Sequence, residues 1–170
     1  CENLIVNFDT SNCVSMVDAF REFDGEIDFS EINTSNVEDM YEMFGYYKGE
    51  KLYLQKFDTS KVKNMDIMFI EASNLTTIYS GANFITDNAV SRFGNDENDM
   101  FRYCFNLEGG AGTRYVDRYY SGKKMAVLDL GIGNEESEGY FTEAPVYYYF
   151  TDFEDGEYKV LHISNVKNEN

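Results

Sequence analysis

Few residues in this chain have the chemistry for catalysis or metal binding, and their spacing argues against both. There are three cysteines, Cys1, Cys13 and Cys104, and one histidine, His162. A thiol nucleophile needs a base within hydrogen-bond reach, and the single histidine lies in a strand-like run far from Cys13 and Cys104. Three cysteines cannot all pair within one chain, so they read as reduced, packed thiols. Asp96-Glu97-Asn98-Asp99 offers oxygens to a calcium ion but lacks the EF-hand spacing and its glycine, and whether it binds the ion stays open. Gly109-Gly110-Ala111-Gly112 has the look of a phosphate cradle, yet no Lys-Ser/Thr follows it, so a turn is the better reading. Carboxylates are numerous, but no spacing singles out an acid and a base. The expectation is no enzyme, no cofactor and no metal. The 14 tyrosines and 14 phenylalanines leave packing and recognition as the chemistry to explain.

Composition narrows the recognition. Hydrophobic residues make up 43% of the 170, which is enough for a core. The formal net charge is −17, a field that repels phosphate backbones and anionic membrane surfaces and excludes nucleic acid as a partner. No run reaches the about 18 apolar residues that would cross a bilayer. The chain opens without the basic start and apolar stretch of a secretion signal.

A repeat must position whatever does the recognising. Phe8-Asp9-Thr10-Ser11-Asn12, Ile32-Asn33-Thr34-Ser35-Asn36 and Phe57-Asp58-Thr59-Ser60-Lys61 place their threonines 24 and then 25 residues apart. Six residues after each threonine stands Met16, Met40 or Met65, and ten after it Phe20, Phe44 or Phe69. Such a fixed period marks a stacked-repeat architecture. The three- and four-residue spacing of Val37, Met40, Met43 and Phe44, and of Val62, Met65, Met68 and Phe69, predicts one face of a short helix. Ser35 and Glu38 have the offsets of a capping box; the other copies leave only the serine or the neighbouring aspartate as a cap. Ahead of each turn, Ile27-Asp28-Phe29 and Leu52-Tyr53-Leu54 have the alternation of half-buried strands. A distorted fourth copy runs from Leu75 and Ile78 through Thr86-Asp87-Asn88 to Met100-Phe101, with residues 91–98 inserted. The first copy has Asn3 where an apolar strand residue is expected, which leaves its register open.

One strand and one short helix cannot bury their own apolar faces, whereas stacked copies can. The expected fold is therefore α/β: a leucine-rich-repeat-like solenoid of short parallel strands and short helices, with a C-terminal β extension. Cys13 takes the place of Val37 and Val62 and belongs to the core, as does the methionine series. In an apolar–x–apolar strand the central residue faces outward, so Asp28, Tyr53 and Tyr79 form an open row. Tyrosine brings apolar area with a polar tip, which makes this row the candidate ligand-binding surface; solvated sheet residues are the alternative.

These residues resemble the BspA-like leucine-rich-repeat surface proteins of bacteria, in the variant with Asp-Thr-Ser-x-Val-x-x-Met-x-x-Met-Phe repeats. Leu52 to Phe69 follows that pattern most fully. Cys104-Phe105-Asn106-Leu107-Glu108-Gly109-Gly110-Ala111-Gly112-Thr113-Arg114-Tyr115, Ala126-Val127-Leu128-Asp129 and Gly139-Tyr140-Phe141-Thr142 match the family's closing motifs, while Leu130-Gly131-Ile132 departs from its glycine-rich polar stretch. The resemblance covers residues 1–142. It implies a secreted or wall-attached protein at the bacterial cell surface, commonly described as an adhesin for host or neighbouring-cell proteins, with no catalytic residues to carry over.

The expected organisation is a repeat region over 1–112 of about four copies, a terminating segment over 113–142, and a β-hairpin cap or the start of a following domain over 143–170. Tyr147-Tyr148-Tyr149-Phe150 and Tyr158-Lys159-Val160-Leu161-His162-Ile163 are the hairpin's strands, around Asp155-Gly156. Cys1-Glu2-Asn3-Leu4 resembles Cys104-Phe105-Asn106-Leu107, so the chain is expected to start inside a repeat as a monomeric fragment; a lipid-modified Cys1 is the rival reading. Three functions follow: a module binding a host or bacterial surface protein or glycan, a spacer that binds nothing, or a flank to a separate catalytic domain.

Overall fold

The computed structural model describes residues 3–92, 99–115, 122–130 and 138–144, and the backbone pairing of 147–154 and 157–164. Its strands are β1 (Leu4–Ile5), β2 (Ile27–Asp28), β3 (Lys51–Leu54), β4 (Thr77–Ser80), β5 (Phe141–Glu143), β6 (Tyr147–Glu154) and β7 (Glu157–Ser164). β1 pairs with β2, and β3, β4 and β5 pair in that order, all parallel. β6 and β7 pair antiparallel, so the two C-terminal strand-like runs do find each other. The turn between them lies outside the described residues. Leu4 pairs with Ile27, which fixes the first copy's register: Leu4 and Val6 are its inward residues, and Asn3 is exposed.

The α/β, leucine-rich-repeat-like solenoid is overturned. The described residues are nearly all strand, bridge and turn; among them the helical segment is the 3-10 turn Lys123–Met125, and no α-helix or solenoid is present. The cause lies in the backbone of the segments expected to be helical. Asp18, Glu42 and Ile67 have φ of 56°, 50° and 50°, and Glu22, Tyr46 and Glu71 have 59°, 57° and 53°. A left-handed residue every fourth position cannot belong to a right-handed helix. These segments are chains of turns instead. Met43, Gly45 and Tyr47 donate back three residues to Met40, Glu42 and Phe44. The amides between them point to the next copy: Met40, Glu42, Phe44 and Tyr46 donate to the carbonyls of Asn64, Asp66, Met68 and Ile70. Met16, Asp18, Phe20 and Glu22 likewise donate to Asp39, Tyr41, Met43 and Gly45, and Phe69 and Glu71 to Met100 and Arg102. Three- and four-residue spacing thus serves a turn chain as well as a helix.

The conserved offsets within the repeat acquire specific roles. Thr34 is buried, and its Oγ1 both donates to the Asp58 carbonyl at 2.9 Å and accepts from the Asp58 amide at 2.8 Å. Thr10 does the same to Asn33, and Thr59 to Ile85. One hydroxyl therefore satisfies two backbone groups of the following copy, which apolar side chains at this position would leave unpaired. Asp9, Asn33 and Asp58 accept from the amide two residues on, as Asx turns do; the Ser60 hydroxyl and amide hold the Asp58 carboxyl below its ordinary range. The Ser35 hydroxyl turns back to Asn33 Oδ1 rather than capping a helix.

The core is an aromatic column. Phe20, Phe44, Phe69 and Phe101 stack with centroids 5.6, 5.6 and 5.3 Å apart, flanked by Met40, Met43, Met65 and Met68, all fully buried. Phe101 joins this column from beyond the insertion, whose residues 93–98 lie outside the described structure.

Substitutions at Ile67 separate the turn chain from a helix. Ile67→Gly and Ile67→Ala lose the same packing, so their difference reports the backbone. At a positive φ the glycine variant should be the more stable by about 1 kcal/mol, whereas in a helix alanine would lead by a similar margin. Paired urea melts read the sign.

Candidate recognition surface

The outward row of the strands is set by register. Tyr53 pairs with Tyr79 and Tyr79 with Thr142 across β3, β4 and β5. Because tyrosine occupies the same place in two adjacent copies, the rings stack, 5.0 Å apart and 16° from parallel. Tyr53 is 37% exposed, and Tyr79 is half-buried. Asp28 stands in the other parallel sheet, opposite Ile5, and is exposed; its Oδ1 accepts from the Ser30 amide at 2.8 Å. The structure therefore brings Tyr53 and Tyr79 together and places Asp28 on the neighbouring strand rather than in their hydrogen-bonded sheet. β2 runs alongside β3, and Tyr47 ties the two: its hydroxyl lies 2.7 Å from the Gly25 carbonyl and 3.2 Å from that of Lys51. Burial pushes the Tyr47 phenol up to about 12, as expected for a structural, un-ionised group.

The other candidate groups resolve into packing. Cys104 is fully buried, its thiol 2.9 Å from the Phe69 carbonyl, and burial pushes it up to about 12. Cys13 packs partly buried against the core. Cys1 lies outside the described residues. In the folded protein Cys104 should resist a thiol-specific reagent that modifies Cys13, and should react only on unfolding; labelling followed by mass analysis checks this. The glycine run is a turn built around a carboxylate of its own chain. Asp129 accepts from the amides of Ala111 and Thr113, both at 2.9 Å, and from the Thr113 hydroxyl at 3.0 Å. A side chain on Gly109 would meet the Gly139 carbonyl at 2.2 Å and Asp129 Cβ at 2.6 Å, which is why glycine is needed there. Of the acidic loop only Asp99 is described, and it pairs with Arg102 at 3.5 Å. Among the described residues no three His, Cys, Asp or Glu side chains converge on a metal position, and no helix is long and apolar enough to cross a membrane. His162 pairs through its backbone with Tyr149.

A polar cluster on the turn side escaped the sequence reading. Ser15, Asp39 and Asn64 bridge in parallel, five residues after each repeat threonine. Asp39 Oδ1 accepts from Asn64 Nδ2 at 2.7 Å, while Oδ2 pairs with Arg92. Asp66 is buried and accepts from the Arg92 amide at 2.8 Å. Aligning the copies by offset shows a short polar residue at that place each time, the signal that could have found it. A second omission is an aromatic group in which exposed Tyr103 and Phe105 meet the partly buried Tyr115, with neighbouring ring centroids 5.8 and 5.9 Å apart.

A family model described as "Mycoplasma protein of unknown function, DUF285" matches residues 1–109. The chain belongs to this family. The DUF285 match takes in the three threonine-led copies, the distorted fourth and the first glycine of the turn around Asp129. The row from Asp28 to Tyr79 therefore lies within the DUF285 region, whereas β5 to β7 lie beyond it. No curated protein and no solved structure matches the chain.

Proposed function

We propose that this DUF285 protein is a non-catalytic recognition module at the bacterial cell surface, presenting its outward strand row to a host or neighbouring-cell protein or glycan. The observation that carries the proposal is the Tyr53–Tyr79 stack, two rings held 5.0 Å apart on an exposed sheet face. Rigid, amphipathic tyrosines are over-represented where proteins bind one another. The resemblance of Leu52 to Phe69, and of the closing motifs, to BspA-like surface proteins supports an adhesive role outside the cell.

The test is a screen of the chain against immobilised matrix proteins, mucins and glycans, with and without calcium. Saturable binding that falls at least about tenfold in the Tyr53→Ser/Tyr79→Ser variant, with the circular dichroism spectrum retained, is the expected result. A folded double variant that binds as well as the parent removes the row from consideration. The spacer reading draws on the threonine bonds that join each copy to the next. It predicts that the folded chain is silent across the panel and that whole copies can be added or removed without effect.

A further inference from the structure

The turn that opens each copy carries one difference between the copies. Asp9, Asn33 and Asp58 all use a single side-chain oxygen to accept from the amide two residues on. At Asn33 that oxygen also takes the Ser35 hydroxyl at 2.7 Å. The Ser35 amide is a donor, so the atom facing it must be Oδ1, and the NH2 group is left outside the turn. Among the described residues Nδ2 has no hydrogen-bond partner, and Asn33 is exposed. Aspartate closes the same turn in the first and third copies, so the turn itself gives this nitrogen no role.

Asn33-Thr34-Ser35 is an Asn-x-Ser/Thr triplet without proline, the acceptor pattern for N-linked glycosylation. Exposed Glu31 stands two residues ahead, which gives the acidic-x-Asn-x-Ser form that bacterial transferases accept. The chain has a second triplet, Asn74-Leu75-Thr76, and it is an internal contrast. Asn74 Nδ2 donates to the Lys48 carbonyl at 3.1 Å, and Thr76 Oγ1 to that of Glu50 at 3.0 Å. Its nitrogen and hydroxyl are both committed to backbone bonds, and Ala72 takes the place of the acid. Thr34 is buried and bonded to Asp58, so a transferase must read its triplet before the third copy docks on the second. Once the copies stack, an exposed nitrogen outside the turn lets a sugar stand in solvent without displacing any packing.

We propose that Asn33 is an attachment site for an N-linked glycan, added during export by a transferase that uses a lipid-pyrophosphate-linked sugar. In that step Nδ2 bonds to the anomeric carbon as the bond from that carbon to the pyrophosphate oxygen breaks. A base of the transferase takes one amide proton, and the lipid pyrophosphate leaves. This rests on the reading of the chain as a surface protein and adds a modification to it. The experiment is peptide mass analysis of the full-length protein recovered from the cells that make it. The peptide containing Asn33 should carry sugar, and the peptide containing Asn74 should be bare. Asn33→Asp keeps the turn as Asp9 and Asp58 do, and Ser35→Ala keeps its amide bond but removes the hydroxyl. Each should abolish the added mass while the circular dichroism spectrum is retained. A bare Asn33 in the parent protein, sugar that persists in Asn33→Asp, or sugar on Asn74 in its place overturns the assignment. Protease treatment of intact cells separates this from the surface reading. Protein that is cleaved from intact cells with Asn33 bare overturns the site alone, and protein neither accessible nor modified overturns both.

Discussion

Phe44→Ala should be the most damaging single substitution in the repeat region, costing about 3–5 kcal/mol. The ring is fully buried, stacked between Phe20 and Phe69, and met edge-on by Phe29 and Tyr47. Removing it opens a void in the middle of the column, where the rings on both sides are held by backbone bonds and cannot close the gap. Native domains are stable by only about 5–15 kcal/mol, so the variant should melt far below the parent. Phe20→Ala should cost much less, because Phe20 is half-buried with one stacking neighbour. Urea denaturation of the two variants gives the comparison. A Phe44 cost no larger than that of Phe20 would mean that the copies are not energetically coupled through the column.

Asp129→Ala should cost about 2–4 kcal/mol, confined to the region that closes the repeats. The carboxylate takes two amides and a hydroxyl from Ala111 and Thr113, and Asp129 itself is buried. Alanine would leave those donors facing an apolar methyl. Asp129→Asn retains one acceptor oxygen but turns an NH2 group toward donors, so it should rescue only part of the loss. Hydrogen exchange at Ala111 and Thr113 should accelerate in both variants while exchange at Phe44 and Phe69 stays slow. Protection lost everywhere at once would show that the turn around Asp129 is coupled to the whole stack.

The sequence exposed the repeat because a stack imposes the same environment on equivalent positions. Met40, Met65, Phe44 and Phe69 recur at fixed offsets, and all are fully buried. The stacking of Tyr53 on Tyr79 follows from the same logic, since equivalent residues of adjacent copies become neighbours. The helix was misread for a definite reason. Apolar spacing reports which side chains point inward, and a chain of turns with a left-handed residue every fourth position sends the same side chains inward. Glu42, Tyr46 and Ile67 carry no glycine or asparagine to signal those dihedrals. Nothing in local composition says that alternate amides leave for the neighbouring copy. Similarly, the glycine run and the Ala126–Asp129 motif were both visible, but their contact is long-range: Asp129 is 16 residues from Thr113.

The bonds between copies have an electrical consequence. The peptide group joining Met43 and Phe44 accepts from Phe20 through its carbonyl and donates to Met68 through its N–H, and Phe69 passes the bond on to Met100. Parallel files run through Asp39 and Met40, through Tyr41 and Glu42, and through Gly45 and Tyr46. Peptide dipoles aligned head to tail in this way reinforce one another, as they do along a helix. Here they point across the chain direction, along the pile of copies. Each copy consequently turns carbonyls toward the copy before it and amides toward the copy after it, so the backbone polarises the pile in one direction before any side-chain charge is counted.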